Sequence, residues 1–468
     1  MIFLFTVFSL SACKNTKFSN MQSLVSYLFA NFVIIMKWNQ TDREILRLAL
    51  PCIVSNITVP LLGFVDLSIV GHIGSAAYIA AISVGTMIFS VMYWTMGFLR
   101  MGTSGLTAQA YGRDDAGGVR RLLRRALLMG LGVGVLFLLL QQPLLQGALW
   151  LIGPSETVAP LVATYYHIVV WGAPAMLGIY GLTGWSVGMQ STRIPMWVAI
   201  FQNVANIVAS LVFVFALHWD IVGVALGTLL AQWSGFLLAL LLVARKVREV
   251  PKRVPLPRGA SHWQAARGDV DIFLRTLCLV AVNLSFTTFG ARQGDLLLAV
   301  NTLLMTFFTL FSYIMDGFAF AGEALSGKAY GASDGVALCR VVRRLFAWGW
   351  MLVAAFTFVY LVGGTGLLTL ITNDAGVVAA AHRYLFWTWL IPVAGVAAFV
   401  YDGLFIGLTA TRGMLVSSLV AAAFYFLLAL SLLGVVGNHA LWIAYLCFLS
   451  MRGGAQYAIW KCKIIAKV

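Results

Sequence analysis

Four acidic residues lie well inside long apolar stretches of the sequence: Asp66, Asp316, Glu323 and Asp402. The other acidic residues fall in polar segments or near the ends of apolar ones. A charge at the centre of a bilayer costs at least about 2.5 kcal/mol, so an acid persists there when it is protonated, paired or exposed to a water-filled cavity. These four side chains are therefore the candidates for ion coupling and ligand binding. A neutralised structural ion pair is the alternative for each of them.

Asn203, Asn206 and Ser210 form a polar group in a separate apolar run. Asn206 and Ser210 are four residues apart, so they share one face of a helix. Amide and hydroxyl groups can bond to a carboxyl group in either of its protonation states. We predict that these three residues lie near Asp66 and take part in proton coupling.

Arg100 also lies within an apolar run, and it needs a counter-charge there. Asp316 and Glu323 are seven residues apart, or two helical turns, and therefore share a helix face. We predict that Arg100 meets Glu323, Asp316 or a substrate anion in a clamp between the two halves near the cytoplasmic side. Bonding of Arg100 to helix carbonyls, or snorkelling within its own half, is the alternative.

The composition indicates that these residues belong to a membrane protein. Hydrophobic residues make up 61% of the chain and charged residues 10%, which indicates a polytopic membrane protein. A transmembrane helix needs about 20 apolar residues. Twelve such runs are present, at about 44–69, 78–111, 122–142, 160–189, 195–217, 221–244, 270–291, 296–330, 342–371, 380–408, 413–433 and 439–460.

The chain contains two copies of one unit. Ala110-Tyr111-Gly112 aligns with Ala329-Tyr330-Gly331 at an offset of 219 residues, and Gly188 aligns with Gly407 at the same offset. The runs at about 78–111 and 296–330, near 35 residues each, are longer than a bilayer requires. Internal repeats in an apolar chain are typical of transporters. The sequence predicts an all-α membrane protein of twelve helices, arranged as two six-helix repeats.

The distribution of basic residues predicts the orientation. The net charge of +15 could indicate nucleic acid, but the bases stand in short clusters between apolar runs, so we expect no nucleic-acid partner. The clusters fall on one side of the predicted bundle: Lys37 to Arg47, Arg113 to Arg125, Arg193, 245–268, Lys328 to Arg344, Arg412 and Lys461 to Lys467. That side is cytoplasmic and holds both termini. Because each half has an even number of helices, a pseudo-two-fold axis along the membrane normal should relate the halves.

The predicted organisation has four segments. Residues 1–35 form an amino-terminal extension that does not conform to a signal peptide, and we interpret it as an over-extended start, since Met36 opens a polar, basic stretch. Residues 36–244 form the first lobe with helices 1–6. Residues 245–268 form a cytoplasmic linker. Residues 269–468 form the second lobe with helices 7–12.

Two sequence motifs, for zinc-dependent proteolysis and for nucleotide phosphate binding, are not found in the sequence. These are H-E-x-x-H and G-x-x-x-x-G-K-[ST]. The six cysteines lack ligand spacing. We therefore expect no enzyme activity, no metal and no cofactor.

Three stretches of the predicted helices carry a family resemblance: GFVDLSIVGHIG, QNVANIVAS and YDGLFIGLTATRGM. They resemble the multidrug and toxic compound extrusion (MATE) family. FLRMGTSGLTAQAYG, MDGFAFAGEALSGKAYG and GNHALWIAYLCFLSMRG are similar to its DNA-damage-inducible protein F (DinF) branch. The resemblance covers about residues 36–463.

The resemblance implies a drug:cation antiporter with two lobes around a central cleft. By motif match, Asp66 is the first-helix acid implicated in proton coupling, and Asp402 is the tenth-helix acid. We place Asp402, Asp316 and Glu323 at the substrate cleft. Ser210 stands where many relatives carry an acid, and Ser285 or Phe286 where sodium-coupled relatives do, so the proton is favoured over sodium as coupling ion.

The function expected from these observations is proton-coupled export of amphipathic organic compounds, cations in particular, by a monomer in a bacterial inner membrane. Its partners are small-molecule substrates and the lipid bilayer. The alternatives are a lipid-linked oligosaccharide flippase of the same superfamily and a membrane enzyme or scaffold that transports nothing.

Overall fold

A computed structural model describes residues 38–71, 76–250 and 262–464, which are helical almost throughout and contain no strand. Their twelve long helices are α1 Gln40–Gly71, α2 Ala76–Gly112, α3 Ala116–Leu139, α4 Ala159–Gly188, α5 Arg193–Ala216, α6 Asp220–Arg248, α7 His262–Ala291, α8 Asp295–Gly331, α9 Gly335–Ile371, α10 Leu385–Gly407, α11 Thr411–Val436 and α12 Asn438–Ile459. The prediction of an all-α chain with two sets of six helices is confirmed. Residues 1–35 and much of the predicted linker lie outside the described residues.

Ten of these helices, all except α1 and α12, contain a segment long and apolar enough to cross a membrane, within the part of the chain that the structure describes. Helices α2 and α8 are each 37 residues long, which confirms the prediction that this repeat pair exceeds a bilayer's thickness. A turn at Met96-Gly97 interrupts α2. Helix α3 ends at Leu139, because Pro143 has no N–H to bond the Leu139 carbonyl, and a short helix, Gln141–Ile152, follows it.

The repeat is visible in the local backbone structure. Asp115 caps α3 by accepting a bond of 2.7 Å from the Gly118 N–H, and Asp334 caps α9 with a bond of 2.8 Å from the Ala337 N–H. Each cap follows a residue in the left-handed region: Asp114 has a φ of 55° and Ser333 a φ of 56°. The two halves therefore use the same turn into their third helix.

Glycines bring equivalent helix pairs together in each half. A Cβ added at Gly184 of α4 would lie 2.3 Å from the Arg100 carbonyl oxygen of α2. A Cβ at Gly403 of α10 would lie 2.3 Å from the Ala319 carbonyl oxygen of α8. Each glycine and each carbonyl is 219 residues from its counterpart. Close backbone approach at small residues replaces the hydrophobic effect as the source of packing between helices in lipid.

The chain divides into two compact units. One is Leu50–Asp269, and the other contains the described residues before Leu50 together with those from Val270 onward. In the first unit α2 and α3 pack on α4, and α5 packs on α6. In the second, α8, α9 and α12 pack on α10, and α11 packs on α12. The boundaries fall inside α1 and near the start of α7, so these two helices each contribute to both units.

Candidate functional site

The polar residues of α5 face two neighbouring helices within the unit Leu50–Asp269. The Asn203 side-chain amide donates to the Thr58 carbonyl of α1 over 3.2 Å. The Asn206 amide donates to the Thr228 hydroxyl of α6 over 3.1 Å. Asn206 and Ser210 are buried. Among the described residues, the Asn206 Oδ1 and the Ser210 hydroxyl have no hydrogen-bond partner.

Asp66 lies in the second half of α1, two turns beyond Thr58. Its side chain is outside those that the structure describes, so its pairing with Asn203, Asn206 or Ser210 stays a prediction. The described contact between Thr58 and Asn203 does show that α1 and α5 touch one another in this unit.

Asp402 of α10 lies in a buried cluster in the other unit. Its Oδ2 accepts a hydrogen bond from the Arg275 guanidinium of α7, and its Oδ1 accepts one from the Gln456 amide of α12 over 2.6 Å. The Arg452 Nη2 of α12 lies 3.6 Å from the same Oδ2. All four side chains are buried. Both carboxylate oxygens are therefore occupied, and the charge of Asp402 is compensated inside its own unit.

Helix α12 supplies two of the side chains that contact Asp402. Arg452 and Gln456 are four residues apart, so they project from one face toward Asp402. The Arg452 guanidinium also lies over two aromatic rings, 5.9 Å from the Phe399 centroid and 5.6 Å from that of Phe448. These cation–π contacts hold a desolvated guanidinium in place.

Sequence reasoning missed Arg275 and Arg452 as site residues. Both lie inside apolar runs that were predicted as spans, at about 270–291 and 439–460. The signal was present, because a basic residue inside a span is as costly as an acid. Only Arg100 was weighed as a partner for the four acids. The prediction that Asp402 attracts cationic substrates has not been tested, but such a cation would have to compete with two guanidiniums for this carboxylate.

Asp316 and Glu323 lie on one continuous helix, α8, as their spacing requires. Glu323 is buried, and its backbone carbonyl lies where Gly407 of α10 approaches. Arg100 lies on α2 and is half-buried. Because Arg100 belongs to one compact unit and both acids to the other, the clamp between them stays a prediction.

Two further ion pairs join helices near the predicted cytoplasmic ends. Arg125 of α3 lies 2.5 Å from Asp269 of α7. Arg344 of α9 lies 3.3 Å from Asp42 of α1, whose other carboxylate oxygen accepts a hydrogen bond of 3.1 Å from the Trp348 indole. Sequence analysis assigned these arginines to membrane orientation alone. Their acidic partners could not be found from spacing, because more than 100 residues separate the members of each pair.

No group of three or more potential metal ligands is found among the described histidine, cysteine, aspartate and glutamate residues. The polar clusters of both units consist of amides, hydroxyls and carboxylate–guanidinium pairs. Such groups can exchange protons or bind polar substrates.

The family model described as MatE matches residues 51–212 and 272–431, one match in each half. The chain belongs to the MatE family. It is 39% identical to DNA damage-inducible protein F of Escherichia coli (strain K12) over 439 residues, 93% of this chain and 95% of that protein. It is 26% identical to a probable multidrug resistance protein NorM of Bradyrhizobium diazoefficiens, over 77% of this chain and 78% of that protein.

Solved structures share the fold. A MATE crystal structure in the bent conformation matches with a TM-score of 0.82 and 18% identity over 92% of this chain and 96% of that one. An outward-facing multidrug resistance MATE transporter matches with a TM-score of 0.77 over 92% and 97% of the two chains. The chain is thus a membrane transporter of the MatE family of multidrug efflux proteins, and its resemblance to the DinF branch is confirmed.

Proposed function

We propose that the chain is a proton-coupled antiporter that exports amphipathic organic compounds by alternating access. It acts in the bacterial inner membrane with both termini in the cytoplasm. Family membership and the names of relatives such as the NorM proteins support export of organic compounds. The clustering of arginine and lysine on one side of the bundle supports the orientation.

The observation that supports proton coupling is the group of polar residues on α5, Asn203, Asn206 and Ser210. Helices α1 and α5 are both odd-numbered, so in this topology they run in the same direction. Their contact at Thr58 and Asn203 fixes their relative level. Asp66 is eight residues beyond Thr58, and Ser210 is seven residues beyond Asn203. At 1.5 Å per residue, both therefore lie roughly 10 to 12 Å along their helices from the Thr58–Asn203 contact, at a similar level.

A carboxyl group at that level would meet suitable partners in both of its protonation states. The protonated acid can donate to the Asn206 Oδ1, and the carboxylate can accept from the Ser210 hydroxyl, the two buried atoms without a described partner. Neutral partners bind either form, whereas a sodium site needs several oxygen ligands and benefits from further negative charge. The serine at position 210 therefore supports the proton over sodium.

The exported compounds are amphipathic, with cations expected first because Asp66, Asp316, Glu323 and Asp402 lie in membrane helices. Arg275 and Arg452 reduce the acidic excess on which this preference rests. They also favour a second candidate function, that of a flippase for lipid-linked oligosaccharides, because binding of a lipid diphosphate inside the protein would need buried guanidiniums.

Transport in liposomes tests both candidates. The purified full chain is reconstituted with an acidic lumen, and lumenal pH is followed while fluorescent organic cations or neutral amphipaths are added outside. Substrate-dependent loss of the pH gradient, absent from protein-free liposomes, is expected. Transport that requires an imposed sodium gradient and leaves the lumenal pH unchanged would replace the proton by sodium. Translocation of a fluorescent isoprenoid diphosphate without proton movement would favour the flippase.

A further inference from the structure

A groove lies between the amino-terminal end of α3 and the carboxyl-terminal end of α6, away from the acidic clusters described above. Its volume is about 340 Å³. Two arginines and four aliphatic side chains line it: Arg120, Arg124, Leu123, Leu127, Leu128 and Val247. All six belong to the compact unit Leu50–Asp269.

Arg120 is held in place by two carbonyls, one in the last turn of α6 and one just beyond its end. Its Nη2 donates to the Val247 carbonyl over 3.2 Å and also to the Val250 carbonyl. Carbonyls at a helix carboxyl terminus lack partners within the helix, so they orient a guanidinium well. They do not cancel its full positive charge. Arg124 lies one turn further along α3 and is exposed.

The charge of this arginine pair is not neutralised by a nearby carboxylate. Among the residues that the structure describes, no aspartate or glutamate lies within 4.0 Å of Arg120 or Arg124. The neighbouring Arg125 is paired with Asp269. An anion in the groove could therefore bind two guanidiniums whose charge is not compensated by a carboxylate. Guanidinium groups match phosphate oxygens in geometry and charge.

The groove changes from basic to apolar along α3. The arginines lie in the second and third turns of α3, and Leu127 and Leu128 follow in the direction of the membrane interior. Leu128 is 61% exposed. With the orientation proposed above, the arginines lie at the headgroup level of the inner leaflet, and the leucines lie beside the acyl chains.

We propose that this groove binds an anionic phospholipid of the inner leaflet, with its phosphate on Arg120 and Arg124 and an acyl chain along Leu127 and Leu128. Basic pockets between transmembrane helices on the cytoplasmic side suit such headgroups. A soluble phosphate would leave the leucines unused. Residues 251–261 follow α6 in sequence but carry Lys252, Arg253 and Arg258 and no acid, so they cannot neutralise the arginines.

The second half of the chain supplies a matched control. At the repeat offset, Arg120 corresponds to Cys339 and Leu128 to Ala347, whereas Arg124 corresponds to Arg343. The equivalent position on α9 therefore lacks both the anchored arginine and the exposed leucine. Selective lipid binding should depend on Arg124 and not on Arg343.

Lipid retention by the purified full chain tests the proposal without any transport assay. The chain is mixed in detergent with equal amounts of phosphatidylglycerol and phosphatidylcholine, and bound lipid is counted by native mass spectrometry. Phosphatidylglycerol should be retained preferentially. Arg124→Gln should lower its affinity roughly fivefold, since one arginine near an anionic membrane surface contributes about 1 kcal/mol. Arg343→Gln should leave it unchanged.

Leu128→Ser should weaken phosphatidylglycerol binding as well, because the acyl chain loses its contact. Arg124→Lys should retain most of the binding, because the charge is kept. Arg120→Gln should have the larger effect but can disturb α6, so the conclusion rests on Arg124 and Leu128. Equal retention of the two lipids would overturn the proposal. Equal losses from Arg124→Gln and Arg343→Gln, or full competition by inorganic phosphate, would overturn it too.

Discussion

Arg125 on α3 and Arg344 on α9 stand 219 residues apart, and each forms an ion pair with an aspartate on the first helix of the opposite half of the sequence. Arg125 pairs with Asp269 of α7, and Arg344 pairs with Asp42 of α1. The offset equals that of the sequence repeat. The amino-terminal ends of α1 and α7 are therefore each paired with the opposite half of the sequence, and each pair lies within one compact unit.

The start of α1 is firmly fixed in this arrangement. Asn39 and Asp42 cap one another, with the Asp42 N–H bonded to the Asn39 side chain and the Asn39 N–H bonded to the Asp42 carboxylate. Trp38 packs edge-on against Trp348, 6.0 Å between ring centroids. Asp42 thus serves as a helix cap, an ion-pair partner and an indole acceptor at once.

Removal of the Arg344 charge should destabilise the protein. Arg344→Gln leaves the buried Asp42 carboxylate without its cation, and loss of one partner of a buried pair costs about 3 kcal/mol. Thermal unfolding of the detergent-solubilised chain, compared with the wild type, measures the effect. Arg340→Gln, at an exposed position of the same helix, is the control and should change little. If both variants unfold alike, the Asp42 pair contributes nothing to stability.

Asp66→Asn should abolish proton-coupled export while the protein remains folded. The amide cannot carry the proton, although it keeps the size and hydrogen bonding of the acid. Substrate-driven proton flux in liposomes is the measurement, and drug resistance of expressing cells supports it. Asp220→Asn, an exposed acid at the start of α6, is the control. Full proton flux in Asp66→Asn would remove Asp66 from the coupling mechanism.

Much of the fold was predictable because membrane helices are long, apolar and repeated. Twelve runs and the length of α2 and α8 follow from composition and spacing. The interruption at Met96-Gly97 was not predicted, since the hydropathy of the run hides a single turn. The pairing of the amino-terminal ends of α1 and α7 with the opposite half was not predicted either, because hydropathy carries no information on which helices are neighbours.

The candidate site was less predictable. Spacing shows which residues share a helix face, as for Asp316 and Glu323, but not which helices face one another. The Arg275, Asp402 and Arg452 cluster unites three helices that are far apart in sequence. The two arginines could have been identified as buried charges, but their common partner could not.

Asp402→Asn should destabilise its unit, because Arg275 and Arg452 would both lose their carboxylate. The expected loss is about 3 kcal/mol, since two guanidiniums are left buried without a counter-charge. Arg275→Met in the same chain should recover part of it by removing one of them. Thermal unfolding of both single variants and the double variant gives the coupling between the two positions. Additive losses would show that Arg275 and Asp402 act independently.

The same Asp402→Asn variant addresses substrate binding. If Asp402 attracts cationic substrates, affinity for cations should fall more than affinity for neutral amphipaths of similar size. Binding to the purified variant, measured by fluorescence quenching at a temperature where it is folded, makes the comparison. Asp295→Asn, an exposed acid at the start of α8, is the control. Equal losses for both classes of compound would assign Asp402 a structural role.

The predicted clamp between Arg100 and Glu323 is tested by exchanging their charges. Arg100→Glu and Glu323→Arg should each lose transport, because each places two like charges where an ion pair is expected. The double variant should recover activity if the side chains meet during transport, since the pair is restored with reversed polarity. Substrate transport in liposomes is measured for all three variants.

Arg113→Glu combined with Glu323→Arg is the mismatched control and should stay inactive, because Arg113 lies in an exposed turn after α2. Failure of the matched pair to recover more activity than this control would exclude a direct clamp and favour carbonyl bonding of Arg100 within its own half.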